Sequence, residues 1–512
     1  MTNQESILIK KSSVITICGT DPMGLSGIHA DLRALSSMGV HGLCCITATT
    51  AQTLNGFTEL NAVSDEVFVS QLDSLLSYEH CKVIKIGLIA NANQAKILIE
   101  HDVFSNKKII LDPILAASSS HIEEYEKRLE GILLLLPFAT IVTPNLIEAK
   151  ALVNNGFKSN LELAQKILEL GAKGVLIKGG HGEHKSLDLY CEQHIQFNLK
   201  HKEYSHNFSR GTGCAMASLI AASLANGASS ADAVVMAKMQ MESGWKSPFS
   251  ISSDAGSLSF SNWVSIQSQP IQESSTQGFV SSDESNSKGR GLAVSLPIVF
   301  KHAEEQQLHF PSCRLPLGLY PIVDRAVWLE TLLPLGVNIA QLRIKDLSGE
   351  DLKQEIIASI KIAEKFDCQL FINDYWELAI ECNAYGVHLG QEDIDDANLQ
   401  AISQGGLRLG LSSHCFYEVA RAKTIKPSYI AFGPVYKTET KDMPWVPEGP
   451  EGLKYWRKHL ADTPMVAIGG INGERFSLVK STGVDAIAMI TGITLSNNPE
   501  QTTQFYMDIF ND

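Results

Sequence analysis

The sequence predicts an α/β protein in two parts: an N-terminal α/β domain with a mostly parallel central sheet, and a C-terminal (β/α)8 TIM barrel. Three observations carry this. Short apolar runs alternate with helix-compatible segments, the pattern of parallel strands covered on both faces. The alternation stops after residue 263, where the chain turns rich in Ser, Gln and Gly. Beyond that stretch eight strand-like runs recur within about 195 residues, the number that closes a barrel.

Length and composition agree. A chain of 512 residues predicts two to four domains. Hydrophobic residues make up 44% and charged residues 19%, which argues against a disordered, collagen-like or coiled-coil chain. The net charge of −14 disfavours a nucleic-acid partner, because the surface as a whole repels phosphate. No run of about 18 apolar residues is present, so no membrane span is expected. The ten cysteines have no repeating spacing, Cys44 and Cys45 are adjacent, and no CxxC occurs. They read as reduced thiols in a cytoplasmic protein.

In the first half the strand-like runs are 14–18, 42–47, 83–89, 108–111, 140–143 and 174–177, with amphipathic segments such as 65–77 and 161–170 between them. Ligands of such sheets sit beyond the carboxyl ends of the strands. Asp112 and Glu148 follow two runs, and oxygen ligands of this kind suit Mg2+ held partly through water. Lys178 follows another and can bring a cation to a phosphate. Gly211, Thr212, Gly213 and Cys214 form a small-residue turn opening a helical pattern. Its free N–H groups and helix dipole suit an anion.

Residues 265–290 are poor in large apolar side chains and cannot offset their ordering entropy by burial. The expected division is a domain over 13–263, a flexible linker over 264–314 and a second domain over 315–512.

The eight runs of the second half are 318–324, 339–345, 369–374, 386–390, 408–413, 429–435, 465–471 and 486–492. Barrel chemistry belongs at their C-terminal ends. Gln341, Arg343 and Lys345 alternate with apolar residues and share one face, with Arg343 and Lys345 placed for a diphosphate. Asp374 and Asp393 end neighbouring strands and are candidates to share one Mg2+. Cations and a divalent ion neutralise the charge that develops on a departing diphosphate. Thr438, Thr440 and Lys441 add hydroxyls and a further cation, and Gly470 and Thr491 end the last two runs, the usual barrel phosphate site.

The first half carries GTDPMGLSGIHADL (19–32), ITATTAQ (46–52), KIGLI (85–89), TPNLIEA (143–149), IKGGH (177–181) and GTGC (211–214). In this order they resemble the hydroxymethylpyrimidine/phosphomethylpyrimidine kinases, members of the ribokinase-like fold, over nearly all of 13–263. The resemblance implies two ATP-dependent phosphorylations, first of the hydroxymethyl group and then of the monophosphate. It places Gly19, Asp31, Gln52 and Leu88 at the substrate, and Lys178 with the 211–213 turn at the ATP phosphates. Cys214 takes the base position, where nearby N–H groups are expected to favour its thiolate. The chain departs from the family pattern at Met23–Ser26, His29, Leu88 and Ser209-Arg210.

The second half carries GLYPIVD, QLRIKD, FINDYW, YGVHLGQED, LGLSSH, YIAFGPVYKTETK and AIGGI, which resemble thiamine-phosphate synthase over about 315–495. The resemblance implies that Gln341, Arg343, Lys345, Asn373, Ser412 and Lys441 contact the pyrimidine diphosphate, Arg343 and Lys441 as catalytic groups, and that Asp374 and Asp393 bind Mg2+. Thr438, Thr440, Gly470, Ile490 and Thr491 would approach the thiazole phosphate, with Thr491-Gly492 standing where the family commonly has Ser-Ala. The expected whole is a bifunctional enzyme acting on small molecules, its oligomeric state left open. Two alternatives stand beside it: a catalytically silent kinase half, and a thiazole-isomerising relative of the synthase.

Overall fold

The computed structural model describes residues 11–53, 56–78, 80–115, 122–154, 159–179, 186–204, 210–252, 256–260, 263, 295–437 and 449–511. The chain divides into two compact units, one reaching residue 263 and including 295–301, the other comprising 302–511.

The first unit is built on a nine-stranded sheet. Six strands are parallel, in the spatial order Gly174–Ile177, Ile141–Val142, Lys108–Leu111, Val83–Ile86, Ser13–Cys18, His41–Ile46. These are the six runs expected from the sequence. Several are buried along their whole length, Ser13–Cys18 and Val83–Ile86 among them, as strands covered on both faces require. The other three, Leu187–Glu192, Gln196–Lys200 and Ile298–Phe300, continue the sheet antiparallel.

The last of these strands corrects the expected linker. Residues 264–294 lie outside the described residues. Ile298–Phe300, however, pairs with Gln196–Lys200 in the sheet, and Val299 is fully buried. Three apolar residues suffice at a sheet edge, too few to stand out in a polar neighbourhood. From residue 302 onward the chain belongs to the barrel unit, where Glu305 is buried against Arg421 at 2.8 Å.

Two further features belong to the first unit. The strands Ala48–Thr53 and Gly56–Ala62 form a separate antiparallel hairpin, with its irregularity at Ala51/Gln52. The helix Thr212–Ala225 is buried from Cys214 to Leu224. It packs against the helices Gly27–Ser37 and Ser230–Lys246 and also against the sheet, so it is apolar all round rather than amphipathic.

The second unit is a closed barrel of eight parallel strands: Gly318–Val323, Ile339–Leu342, Gln369–Asn373, Gly386–Leu389, Arg408–Ser413, Tyr429–Phe432, Met465–Ile468 and Ala486–Met489. Each matches an expected run. The interior is filled by Tyr320, Ile322, Ile339, Phe371, Tyr429, Ala431, Val466, Ala486 and Ala488, a packed core rather than a pore. Among the described residues no helix is long and apolar enough to cross a membrane.

Candidate active sites

In the first unit, residues at the carboxyl ends of the parallel strands converge on the start of the Thr212–Ala225 helix. Gly211 caps that helix in the left-handed region at φ 76°. A Cβ there would fall 1.9 Å from the Leu25 carbonyl oxygen, so only glycine lets the turn seat against the 23–26 loop. A Cβ on Gly213 would lie 3.1 Å from Lys178 Nζ and 3.9 Å from Asp112 Oδ2, which sets both groups beside the turn.

Lys178 Nζ donates to Asp112 Oδ1 at 2.9 Å, and Thr143 Oγ1 donates to the same oxygen at 3.1 Å. Burial alone would raise the Asp112 carboxyl, but Lys178 and Lys85 hold it below its ordinary value. Burial pushes Glu148 up to about 7, against the pull of Lys178. Glu148 also closes a capping box, accepting from the Asn145 N–H at 2.8 Å while Asn145 Oδ1 accepts from the Glu148 N–H at 3.0 Å.

Cys214 lies in the first turn of the helix and is buried. Its burial raises the thiol well above its ordinary value, Lys85 opposing and Asp112 and Asp31 reinforcing. This direction is opposite to the stabilised thiolate expected from the nearby amides. Desolvation sets the direction, and two carboxylates reinforce it.

The substrate-side residues separate into two groups. Gly19 packs on Leu88, since a Cβ at Gly19 would lie 2.9 Å from Leu88 Cδ2. Gln52 projects from the hairpin, its amide nitrogen donating to Thr50 Oγ1 at 2.7 Å, and Thr50 Oγ1 donates to the Thr20 carbonyl at 2.6 Å. Gly19, Leu88 and Gln52 are therefore gathered around the 19–20 segment. Asp31 does not join them. It is fully buried, paired with Lys85 and accepting from Thr16 and Ser218 hydroxyls at 2.6 and 2.9 Å. Its expected contact with substrate is replaced by a structural one, because all of its partners lie inside the unit. The sequence reading assigned no role to Lys85; its place in a strand ending at the site was the available signal.

In the second unit the strands' C-terminal ends surround one cavity of about 1020 Å³. Gln341, Arg343, Lys345, Asn373, Asp374 and Asp393 line it. Ser412, Gly470, Ile490 and Thr491 also line it. Thr438, Thr440 and Lys441 lie outside the described residues. Arg343 and Lys345 fall just beyond the strand Ile339–Leu342 and still face the cavity with Gln341.

Lys345 Nζ donates to Asp374 Oδ2 at 2.5 Å. Asp374 takes a left-handed φ of 66°, which turns its backbone out of the strand toward the cavity. Burial and the neighbouring Asp374 raise the Asp393 carboxyl. Two carboxylates crowded in this way fit a divalent cation, which would relieve their repulsion. Gly470 sits at φ 65°, and a Cβ there would meet the Tyr436 and Lys437 carbonyl oxygens at 2.7 Å. The glycine thereby lets the 436–437 segment close over the end of the seventh strand.

Among the lining residues that sequence reasoning passed over are Tyr320, His388, Tyr429 and Lys437. His388 Nδ1 hydrogen-bonds Tyr429 Oη at 2.8 Å and its Nε2 bonds Ser412 Oγ at 2.9 Å. Tyr429 Oη in turn bonds Tyr320 Oη at 2.7 Å. Burial lowers His388 to about 4, so it is neutral at pH 7. His388 stood in a quoted motif, but a strand-interior histidine reads equally well as core.

These geometries define a class: an α/β unit built to handle phosphoryl groups at a helix start, joined to a barrel that gathers cations and paired carboxylates around one cavity. Comparison with known proteins sharpens this. Residues 21–259 match the family described as phosphomethylpyrimidine kinase, and residues 319–493 the family described as thiamine monophosphate synthase. Thiamine-phosphate synthase of Yersinia pseudotuberculosis is 49% identical over 194 residues, covering 38% of this chain and 90% of the relative. That of Proteus mirabilis is 52% identical over 194 residues with the same coverage. The first unit is similar to pyridoxal kinase from Staphylococcus aureus, at 28% identity and TM-score 0.44, covering 49% of this chain and 95% of that one. It is also similar to phosphomethylpyrimidine kinase from Clostridium difficile, at 27% identity and TM-score 0.40, covering 45% and 98%. The chain belongs to the thiamine-phosphate synthase family and joins that domain to one of the phosphomethylpyrimidine kinase type, the pairing of a bifunctional enzyme of thiamine biosynthesis.

Proposed function

We propose that the first unit uses ATP to phosphorylate hydroxymethylpyrimidine and then its monophosphate, and that the second unit couples the resulting diphosphate to thiazole phosphate. The observation that carries this is the pair of anion sites: the Gly211–Gly213 turn with Lys178 beside it, and the cavity lined by Arg343 and Lys345.

In the kinase unit the turn amides and Lys178 hold the charge of the moving phosphoryl group. Cys214 lies beside them as the candidate acceptor of the hydroxyl proton. Burial keeps it protonated at neutral pH, so only the fraction that has first lost its proton to solvent, as thiolate, can take the hydroxyl proton. Gly19, Leu88 and Gln52 offer the pyrimidine one apolar wall and one amide. Asp112 and Glu148 are the residues that would hold Mg2+, which when bound neutralises phosphate charge.

In the synthase unit Arg343 and Lys345 grip the diphosphate. Its C–O bond breaks with the electron pair leaving on pyrophosphate, and the thiazole nitrogen donates its lone pair to the pyrimidinylmethyl carbon. The nitrogen loses no proton, so no general base is required. Asp374 and Asp393 would hold the Mg2+ that offsets charge on the leaving group. Gly470, Ile490 and Thr491 are the proposed seat of the thiazole phosphate. We place the protein in the cytoplasm, which its ten free cysteines support.

The test is one incubation of hydroxymethylpyrimidine, ATP, Mg2+ and thiazole phosphate with the full chain, read by mass spectrometry. Thiamine phosphate and pyrophosphate are expected. A folded sample that makes neither would overturn the reading.

A further inference from the structure

The Arg210 guanidinium bridges three parts of the kinase unit. Its NH1 donates to the Thr53 carbonyl at 2.8 Å, and its NH2 donates to Gln52 Oε1 and lies 3.3 Å from Asp21 Oδ1. Gln52 is thus engaged at both ends, its amide nitrogen on Thr50 and its oxygen on Arg210. The side chain that would read the pyrimidine is already occupied by a cation of this chain.

We infer that Arg210 is a specificity-determining residue, which leaves Gln52 when the pyrimidine binds and then holds the phosphate of the monophosphate acceptor. This assignment rests on the functional reading above, in which Gln52 faces the pyrimidine.

The bonds of Arg210 are of a kind that can be exchanged. Two of its three acceptors are neutral amide oxygens. The third, Asp21, is fully buried yet already satisfied without it: it accepts from the Met23 N–H at 2.9 Å, the Ser26 N–H at 2.9 Å and the Ser26 hydroxyl at 2.7 Å. Moving the guanidinium therefore leaves no buried carboxylate without hydrogen bonds. The Arg210 side chain is 25% exposed, so it does not have to be pulled out of a core.

Its position fixes where it can go. Arg210 is the residue immediately before Gly211, and the Gly211 backbone is seated against Leu25 with no room for a side chain. The guanidinium is thus tethered one residue from the anion turn. A pyrimidine amino group bonding to Gln52 Oε1 takes the acceptor that Arg210 uses, and the freed fork is left beside the turn.

The two acceptors differ in the one property a guanidinium senses. The first is a neutral alcohol, and the second carries a phosphate dianion. A forked cation binds phosphate through paired, charge-assisted hydrogen bonds, while to the alcohol it offers only competition for Gln52. Arg210 is expected to tighten the second substrate and to weaken the first.

The experiment measures KM for each acceptor separately, at saturating ATP, for the full-length parent, Arg210→Gln and Arg210→Lys. Arg210→Gln is expected to raise the monophosphate KM about tenfold, the loss of one charge-assisted pair, and to lower the alcohol KM. Arg210→Lys keeps the charge without the fork and should recover part of the monophosphate affinity. If Arg210→Gln does not fold, Arg210→Lys carries the test through a severalfold rise in the monophosphate KM alone. Two KM values that move together, or that do not move, in an enzyme active on both acceptors would overturn this assignment alone. A parent that phosphorylates neither acceptor would overturn the functional reading and this assignment with it.

Discussion

Lys85 Nζ stands 2.9 Å from Asp31 Oδ2 with both side chains fully buried inside the kinase unit. Burial by itself would strip the lysine of its proton, but Asp31, with Asp112 further off, raises it well above its ordinary value. The pair is a charged floor under Cys214, closed by Thr16 and Ser218.

Removing one member should be far worse than removing both. Asp31→Asn leaves a buried ammonium without its counter-charge, and a loss of about 3–5 kcal/mol in unfolding free energy is expected. Asp31→Leu combined with Lys85→Met should recover much of that loss, since it also removes the desolvation cost. Urea titrations of the full chain, following the kinase unit, check both. A single variant as stable as the parent would show that the pair contributes nothing to the fold.

What the sequence made legible, and what it hid, divides along physical lines. All six parallel strands of the first sheet and all eight of the barrel were visible, because a strand covered on both faces is a largely apolar run. Ile298–Phe300 was not, because an edge strand needs only one neighbour and three residues. At the sites, groups that must stay exposed to ligand, such as Arg343 and Lys345, announced themselves as polar residues at strand ends. Asp31, inside the helix Gly27–Ser37, was placed at the substrate by family resemblance alone, and the structure pairs it with Lys85 instead. Only the fold reveals that Lys85, 54 residues away, reaches it. The direction of the Cys214 shift was likewise hidden, since it depends on how deeply the helix start is buried.

That shift predicts the pH dependence of the kinase. Burial first, then Asp112 and Asp31, keep Cys214 protonated at neutral pH. If its thiolate takes the hydroxyl proton, the reactive fraction grows about tenfold per pH unit until the raised value is reached. The logarithm of kcat should therefore climb with a slope near 1 from about pH 7 to 9. Cys214→Ala should turn over more slowly and with a flat profile. A flat profile in the parent would remove Cys214 as the base.

Asp374 and Asp393 predict a metal requirement for the second unit's reaction, separate from that of the kinase. Burial and Asp374 raise Asp393, so protons compete with Mg2+ for it as the pH falls. With ready-made pyrimidine diphosphate as substrate, Asp393→Asn should raise the Mg2+ concentration needed for half-maximal coupling more than about tenfold, the scale set by losing one of two charged ligands. The same requirement in the parent should rise as the pH falls toward the raised value of the Asp393 carboxyl. An Asp393→Asn enzyme with unaltered Mg2+ dependence would take the metal away from this pair.

His388 predicts how the barrel fails in acid. Buried between Tyr429 and Ser412, it titrates at about 4 in the folded chain, below its ordinary value of 6.5. The unfolded chain therefore binds one more proton between those two values, and stability must fall as the pH falls through that window. The stabilisation is fully present above about pH 6.5 and is lost progressively toward pH 4. Inside the window the slope from this one group approaches about 1.4 kcal/mol per pH unit. His388→Phe removes the titrating group, although it leaves Tyr429 and Ser412 without their shared partner. The variant should therefore be less stable than the parent at pH 7, yet lose less of its stability on going to pH 5. Denaturant midpoints of the barrel unit at the two pH values decide this. Parallel losses in parent and variant would mean that the acid sensitivity arises elsewhere and that His388 is already protonated in its bridge.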